Sequence, residues 1–279
     1  LYLALLAVPG VAPFVTASDL SGPAPDVDFI LRRALERSRW YEQERIETTF
    51  AFQLDRVSEK LDRRGEVSER EHLTYAVEPW DGGLPLERLV RKNGRELTVS
   101  ERIDEEKRLA ELRKDLRDHR KRAERRQERV LFDERLVSRY VFTFEERELL
   151  DGRRTLRVAF RPRSGDLPVE TRMDRALNKA EGWIWVDEET AEIARVQFQL
   201  KEKIPVWWGL LGHISAVKGS IERAEVEPGI WMPRQFELYL NGRILFTSLH
   251  RQERIAWSRF RRAGELNREF PPEPAKGSE

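Results

Sequence analysis

The chain has 279 residues, 36% of them charged, yet 51 Lys and Arg against 50 Asp and Glu leave a formal net charge of only +1. That balance excludes a general binder of nucleic acid or of an anionic membrane, which needs a surplus of positive charge. Cysteine is absent, so disulfides, thiol nucleophiles, thiolate metal sites and lipid attachment at Cys are excluded. With His only at His72, His119, His213 and His250, neither a metal centre nor a cofactor is expected.

Residues 1–15 (LYLALLAVPGVAPFV) are apolar and uncharged and run into Val15-Thr16-Ala17, the pattern of a secretory h-region with a small-residue cleavage site. Pro9 and Pro13 interrupt the stretch, and at about 15 residues it is short of the ~20 that a spanning helix requires. A buried strand and a membrane-anchored tail are the competing readings. Residues 1–17 are thus expected to be a signal peptide and 18–26 a flexible lead-in, giving an exported protein, periplasmic in a cell with two membranes. Asp26 can then cap a helix whose apolar stripe is Val27, Ile30, Leu31, Ala34 and Leu35.

Beyond it the period changes to two. Phe50, Phe52 and Leu54 alternate with polar or small residues, as do Leu73, Tyr75 and Val77; a shorter run at 86–91 ends at Asn93-Gly94. Thr98 and Glu101 form a capping box opening a charged segment, residues 101–129, with a thin stripe of Leu109, Leu112, Leu116, His119 and Ala123. Asp104–Arg108 and Asp118–Arg122 have the four-residue spacing that supports a helix. The segment is read as a solvated helix held by ion pairs; a dimer seam or docking arm is the alternative.

Strands resume with Tyr140, Phe142 and Phe144, then Leu156, Val158 and Phe160 across the Asp151-Gly152 turn. After a polar loop at 162–178, residues 182–200 (GWIWVDEETAEIARVQFQL) form the clearest hairpin. Further strands are expected at 215–227, at 231–240, at 243–253 beyond an Asn241-Gly242 turn, and at 256–262, followed by a disordered tail at 263–279. The expected architecture is mainly β (α+β), a curved antiparallel sheet of about ten strands in one domain over 27–262, with an N-terminal helix and the charged helix inserted.

The hairpin has the form G-x-I-W-V-D…I-x-R-V-x-F, carried by Gly182, Ile184, Trp185, Val186, Asp187, Ile193, Arg195, Val196 and Phe198. With the export signal, the N-terminal helix, the strand meander and a later Gly229-Ile230-Trp231-Met232-Pro233 tract, it resembles the superfamily of outer-membrane lipoprotein carriers, LolA and LolB. The resemblance spans 27–262 apart from the charged helix. It implies an unclosed β-barrel whose concave face is covered by helices and holds acyl chains, and it carries over no individual site residue.

On that expectation Phe50, Phe52, Leu54, Tyr140, Phe142, Phe144, Phe160 and Phe198 line an apolar concave face, with solid core packing the bland alternative for each. Trp207, Trp208, Leu210 and Leu211, crowded around Gly209, are either a buried segment or an apolar tip for transient contact with membrane or cargo. No G-x-S-x-G, H-E-x-x-H, P-loop or G-x-G-x-x-G is present, so no catalytic residue is assigned. Two functions follow from different classes. One is a non-enzymatic carrier of a hydrophobic or acylated ligand, lipid or lipoprotein. The other is an envelope scaffold with a filled core and a partner-docking helix. Nothing in the sequence sets an oligomeric state.

Overall fold

The computed structural model describes residues 22–62, 64–80, 85–118, 130–200, 202–206, 212–244 and 247–263. Helix α1 (Val27–Glu44) leads into strands β1 (Phe50–Leu61), β2 (Val67–Glu78), β3 (Leu86–Lys92) and β4 (Arg95–Glu96), then helix α2 (Val99–Arg117). Helix α3 (Glu134–Val137) precedes β5 (Tyr140–Leu150) and β6 (Arg153–Pro162), and α4 (Arg172–Leu177) precedes β7 (Ala180–Asp187), β8 (Ile193–Leu200) and β9 (Ile204–Val206). The long strands β10 (Gly212–Glu227), β11 (Ile230–Ile244) and β12 (Thr247–Arg262) complete the sheet.

All twelve strands belong to one antiparallel sheet of order β4-β3-β2-β1-β12-β11-β10-β8-β7-β6-β5, with β9 on β10. The curved sheet is not closed. Its first long strand pairs with its last, Phe50 opposite Arg262 and Lys60 opposite Arg251, so both open edges come from the middle of the chain.

Residues directly opposite on neighbouring strands point to the same side, and the register defines two faces. One row runs Phe144, Val158, Ile184, Val196, Ile221, Phe236, Ile255, Arg56 and Leu73. A neighbouring row, one residue along each strand, runs Glu146, Arg157, Trp185, Arg195, Glu222, Gln235, Ala256, Asp55 and Thr74. The first row is the inner face. The second carries an ion-pair ladder on the outer face, with Arg157–Glu148 at 2.5 Å, Arg195–Glu222 at 2.7 Å and Arg234–Glu222 at 3.0 Å.

Helix α1 lies on the inner face. Asp26 accepts from the Asp28 N–H at 3.0 Å, and the helix ends at Arg45, whose φ of 51° turns the chain out of it. Its stripe of Ile30, Leu31 and Ala34 packs on Leu156, Val158, Ile184 and Val186, each large side chain contributing about 1.5–3 kcal/mol on burial. The far end of α1 is held by charge. Glu192, 1% exposed, accepts from Arg37 Nε at 2.7 Å and from Arg223 Nη1 at 2.9 Å. Arg37 also donates to the Gly229 carbonyl at 2.7 Å, Arg223 to the Trp231 carbonyl at 2.8 Å, and the Trp231 N–H to the Tyr41 hydroxyl oxygen at 2.5 Å.

Two expectations need correction. The charged helix is not simply solvated: Leu109 and Leu116 are buried with Leu86, and Leu112 and Trp80 pack against them. The Leu89 N–H, turned away from β2, donates to Glu105 Oε1 at 2.7 Å, and Arg108 Nη2 donates to the Glu87 carbonyl at 2.5 Å. Side chains of α2 therefore take the hydrogen bonds of the open β3 edge, an edge that would otherwise invite pairing with another chain. The capping box of Thr98 and Glu101 forms as expected, and Arg108 pairs with Glu105 rather than Asp104. His119, Arg122 and Ala123 lie outside the described residues.

Asn241-Gly242 is not a turn. Both lie inside β11, opposite His250 and Leu249. Glycine is required there because a Cβ would meet the His213 carbonyl oxygen at 2.6 Å. The turns at Asn93-Gly94 and Asp151-Gly152 do form, both residues of each pair at positive φ. Residues 1–21 and 264–279, which hold the expected signal peptide, the first part of the 18–26 lead-in and all but the first residue of the tail, lie outside the described residues; in the described part of the lead-in, Arg147 donates to the Gly22 and Pro23 carbonyls.

Replacing Glu192 with Gln should cost about 3 kcal/mol in urea unfolding, the lower end for a broken buried pair, since Arg37 and Arg223 keep partial contact with water. A loss under about 0.5 kcal/mol would refute its anchoring role.

Burial pushes the Asp187 and Asp174 carboxyls up, but bonds from Arg153 and Thr190 to the first, and from Thr171, Glu170 and Arg139 to the second, outweigh it, and both end below the ordinary range. Their stabilisation is full above the unfolded value near about 4 and is lost as pH falls through the folded values. Urea midpoints should hold from pH 7 to 5 and drop below about pH 4, less steeply in Asp187→Asn.

Candidate functional site

The inner face divides into three parts. Under α1, Tyr140 and Phe160 are buried, with Phe142, Phe144 and Phe198 partly buried against them. Tyr140 packs edge-on to Phe160 at 5.0 Å and donates its hydroxyl to the Leu177 carbonyl at 2.7 Å; burial pushes its pKa up to about 12. At the other end of the helix, Phe50 joins Tyr41, Ile46, Ile230, Trp231 and Met232, and Phe52 tilts on Phe260 at 5.4 Å. Towards the β3 edge, Leu54, Tyr75 and Val77 form a separate buried cluster.

Of the residues expected to line a cavity, Phe50, Leu54, Tyr140 and Phe160 are therefore packed core, and Phe52, Phe142, Phe144 and Phe198 are partly exposed at its margins. Trp207, Trp208, Leu210 and Leu211 lie outside the described residues.

Between the packed parts is a region that the sequence reading did not single out. Val217 and Ile221 on β10, Phe236, Leu238 and Leu240 on β11, and Ile255 and Trp257 on β12 share the inner face and are all only partly buried, the last two packing against the Leu54 cluster. The signal was present as alternation within the three longest strands, of 16, 15 and 16 residues. Phe198 borders this region, and the far end of its ring lies over Gly219, where a Cβ would come within 2.3 Å of it.

This middle surface is mostly apolar, and charged residues border it along β12 and β1: Glu253 opposite Leu238, Arg251 opposite Leu240 and Arg56 opposite Ile255. Arg56 sits over the Tyr75 ring at 5.7 Å and pairs with Glu253 at 3.3 Å. Such a surface can hold an aliphatic chain by burial, and the carboxylate that borders it, Glu253 opposite Leu238, is paired with Arg56.

The polar set nearest to a catalytic arrangement lies on the outer face. Thr74 Oγ1 donates to Asp55 Oδ1 at 2.7 Å, and His72 Nε2 is 3.2 Å from the same oxygen. Burial raises the Asp55 carboxyl, but bonds from Thr74, Gln53 and His72 prevail and hold it below the ordinary range. With both partners on one oxygen, His72 does not bridge Asp55 to Thr74, and no nucleophile is activated. Among the described residues no cluster of three metal-ligating side chains occurs, and no helix is long and apolar enough to cross a membrane.

Asp187, the last residue of the hairpin motif, caps the β7–β8 turn. It accepts from the Thr190 N–H and hydroxyl, each at 2.8 Å, and from Arg153 at 2.6 and 3.1 Å. Its role is architectural.

No family model and no curated protein sequence matches the chain. Among solved structures it is similar to an outer membrane lipoprotein-sorting protein domain from Vibrio parahaemolyticus, at 9% identity and a TM-score of 0.33, covering 88% of this chain and 95% of that one. It is also similar to a LolA superfamily protein from Nitrosomonas europaea, at 10% identity and a TM-score of 0.31 over 85% and 94% of the two chains. A third is a chain of the Pseudomonas aeruginosa MucA/MucB complex, at 10% identity and a TM-score of 0.25 over 80% and 93%.

The division into packed and uncovered parts is testable by substitution. Phe160→Ala, in the buried cluster, should cost about 3–5 kcal/mol. Leu238→Ser, on the uncovered surface, should cost less than about 1.5 kcal/mol while abolishing binding of an apolar fluorescent probe. Equal destabilisation by the two in urea unfolding would show the middle region to be packed as well.

Proposed function

We propose that this chain is an exported, non-enzymatic binding or carrier protein for a hydrophobic or acylated ligand of the cell envelope, lipid or lipoprotein. The observation that carries the reading is the partly exposed middle of an otherwise packed apolar face, from Val217 and Ile221 across Phe236, Leu238 and Leu240 to Ile255 and Trp257 at the margin of the Leu54 cluster. Contiguous apolar surface of this kind is uncommon on a folded monomer unless something binds there. The outer face has the opposite character, a cross-strand ladder of Arg and Glu suited to water. Export is supported by the apolar residues 1–15 and the small-residue step that follows.

The scaffold alternative draws less support. It relies on the charged helix to engage a partner, yet Leu109 and Leu116 of that helix are already buried against β3 of the same chain.

Native mass spectrometry of the protein purified from its host should show added masses in the lipid range that disappear on detergent exchange. Bare protein, together with failure to take up any long-chain apolar probe, would defeat the proposal.

A further inference from the structure

We infer that the ligand of the inner face is an anionic lipid, its acidic headgroup held between Lys60 and Arg251 and its acyl chain lying along β11 and β12 towards Trp257. The inference rests on the reading of that face as a ligand surface and adds a headgroup class and an orientation.

The register brings two cations together. Lys60 on β1 and Arg251 on β12 are direct cross-strand partners, and Arg251 is in turn opposite Leu240 of β11. All three therefore point to the inner face, with cations on one side of Arg251 and the apolar surface on the other. Like charges directly opposite in a sheet are destabilising, and an anion between them would reverse the sign of that interaction.

The other charges at this corner are accounted for. Glu253 pairs with Arg56 at 3.3 Å, Glu69 with Lys60 at 3.0 Å, and Glu71 with Lys92 at 3.3 Å. Arg251 is exposed and has no ion-pair partner among the described residues. The corner thus holds four cations and three carboxylates, and the unmatched cation is the one adjoining Leu240.

Length agrees with the chemistry. From Arg251 to Trp257 is six residues of extended strand, about 20 Å at ~3.3 Å per residue. One leaflet of a bilayer's hydrocarbon core, half of ~30 Å, is about 15 Å deep. A single acyl chain with its head at Arg251 would therefore run over Leu238, beside the Glu253–Arg56 pair, then past Phe236 and Ile255, and end near Trp257.

The test compares a fluorescent long-chain fatty acid with its methyl ester, which has the same tail and no charge. The wild-type protein should bind the acid about tenfold more tightly, the scale of one charge-assisted bond. Arg251→Gln and Lys60→Gln should each erode that preference while leaving ester binding unchanged.

Equal wild-type affinity for acid and ester, or a preference that survives Arg251→Gln, would overturn the headgroup assignment and leave the apolar face a ligand surface. Failure to bind either probe would overturn the ligand reading itself. Inorganic phosphate competing as well as the fatty acid would reduce the pair to a free-anion site and overturn the lipid assignment. An acylated peptide that binds more tightly than the acid, with affinity unchanged in Arg251→Gln, would overturn it too and assign the face to acylated polypeptide.

Discussion

A single buried carboxylate holds the two layers of this protein in place. Glu192 stands at the start of β8, nearly sealed from water, and joins Arg37 of α1 to Arg223 of β10. Each guanidinium also donates to a backbone carbonyl around Gly229 and Trp231, so the anion fixes the helix against two different parts of the sheet at once. Charge buried this way is costly unless every partner is present. Here both carboxylate oxygens and both guanidiniums are engaged, which makes the arrangement geometrically specific. Hydrophobic contact alone would allow α1 to slide along the face.

The position so fixed decides what remains open. Helix α1 covers β5 to β8, where Tyr140, Phe160 and Ile184 close into a core, and its far end seals Phe50 and Trp231. Nothing of comparable size among the described residues covers the inner face of β10 to β12 beyond the Ile230–Met232 end. Those strands are the longest in the sheet, and away from that end their inward apolar residues are only partly buried. The same alternation therefore produces core in one region and partly exposed apolar surface in the other, according to whether a helix lies above it.

The opening of the sheet follows from pairing the first long strand with the last. Once β1 and β12 are neighbours, the unpaired edges are β3–β4 and β5, and the chain between them must deal with both. Helix α2 meets this at β3 by offering Glu105 and Arg108 to the edge N–H and C=O groups. At the other edge, β5 has a register shift between Phe144 and Glu146 and carries Glu145, Glu146, Arg147 and Glu148, charge and irregularity that discourage further pairing. A segment that reads as solvated because of its charge is thus one whose charges substitute for a missing strand.

Many local features were legible in the sequence. The stripe of α1 and its Asp26 cap, the Thr98–Glu101 capping box, the two-residue turns at Asn93 and Asp151, and the two-residue period of the strands all arise from interactions within a few residues, and all are present. Alternation also determined that one face would be apolar and the other polar. What it could not determine is what lies opposite a given residue. Asn241-Gly242 has turn chemistry, but its glycine answers a backbone approach from β10. Phe160 and Leu238 have the same pattern around them, yet one is core and the other only partly buried. Likewise Lys60 and Arg251, 191 positions apart by number, become neighbours only through the pairing of β1 with β12. Period and capping are short-range properties carried by the chain itself; coverage, strand order and the meeting of distant charges exist only once the sheet has curled and α1 has docked.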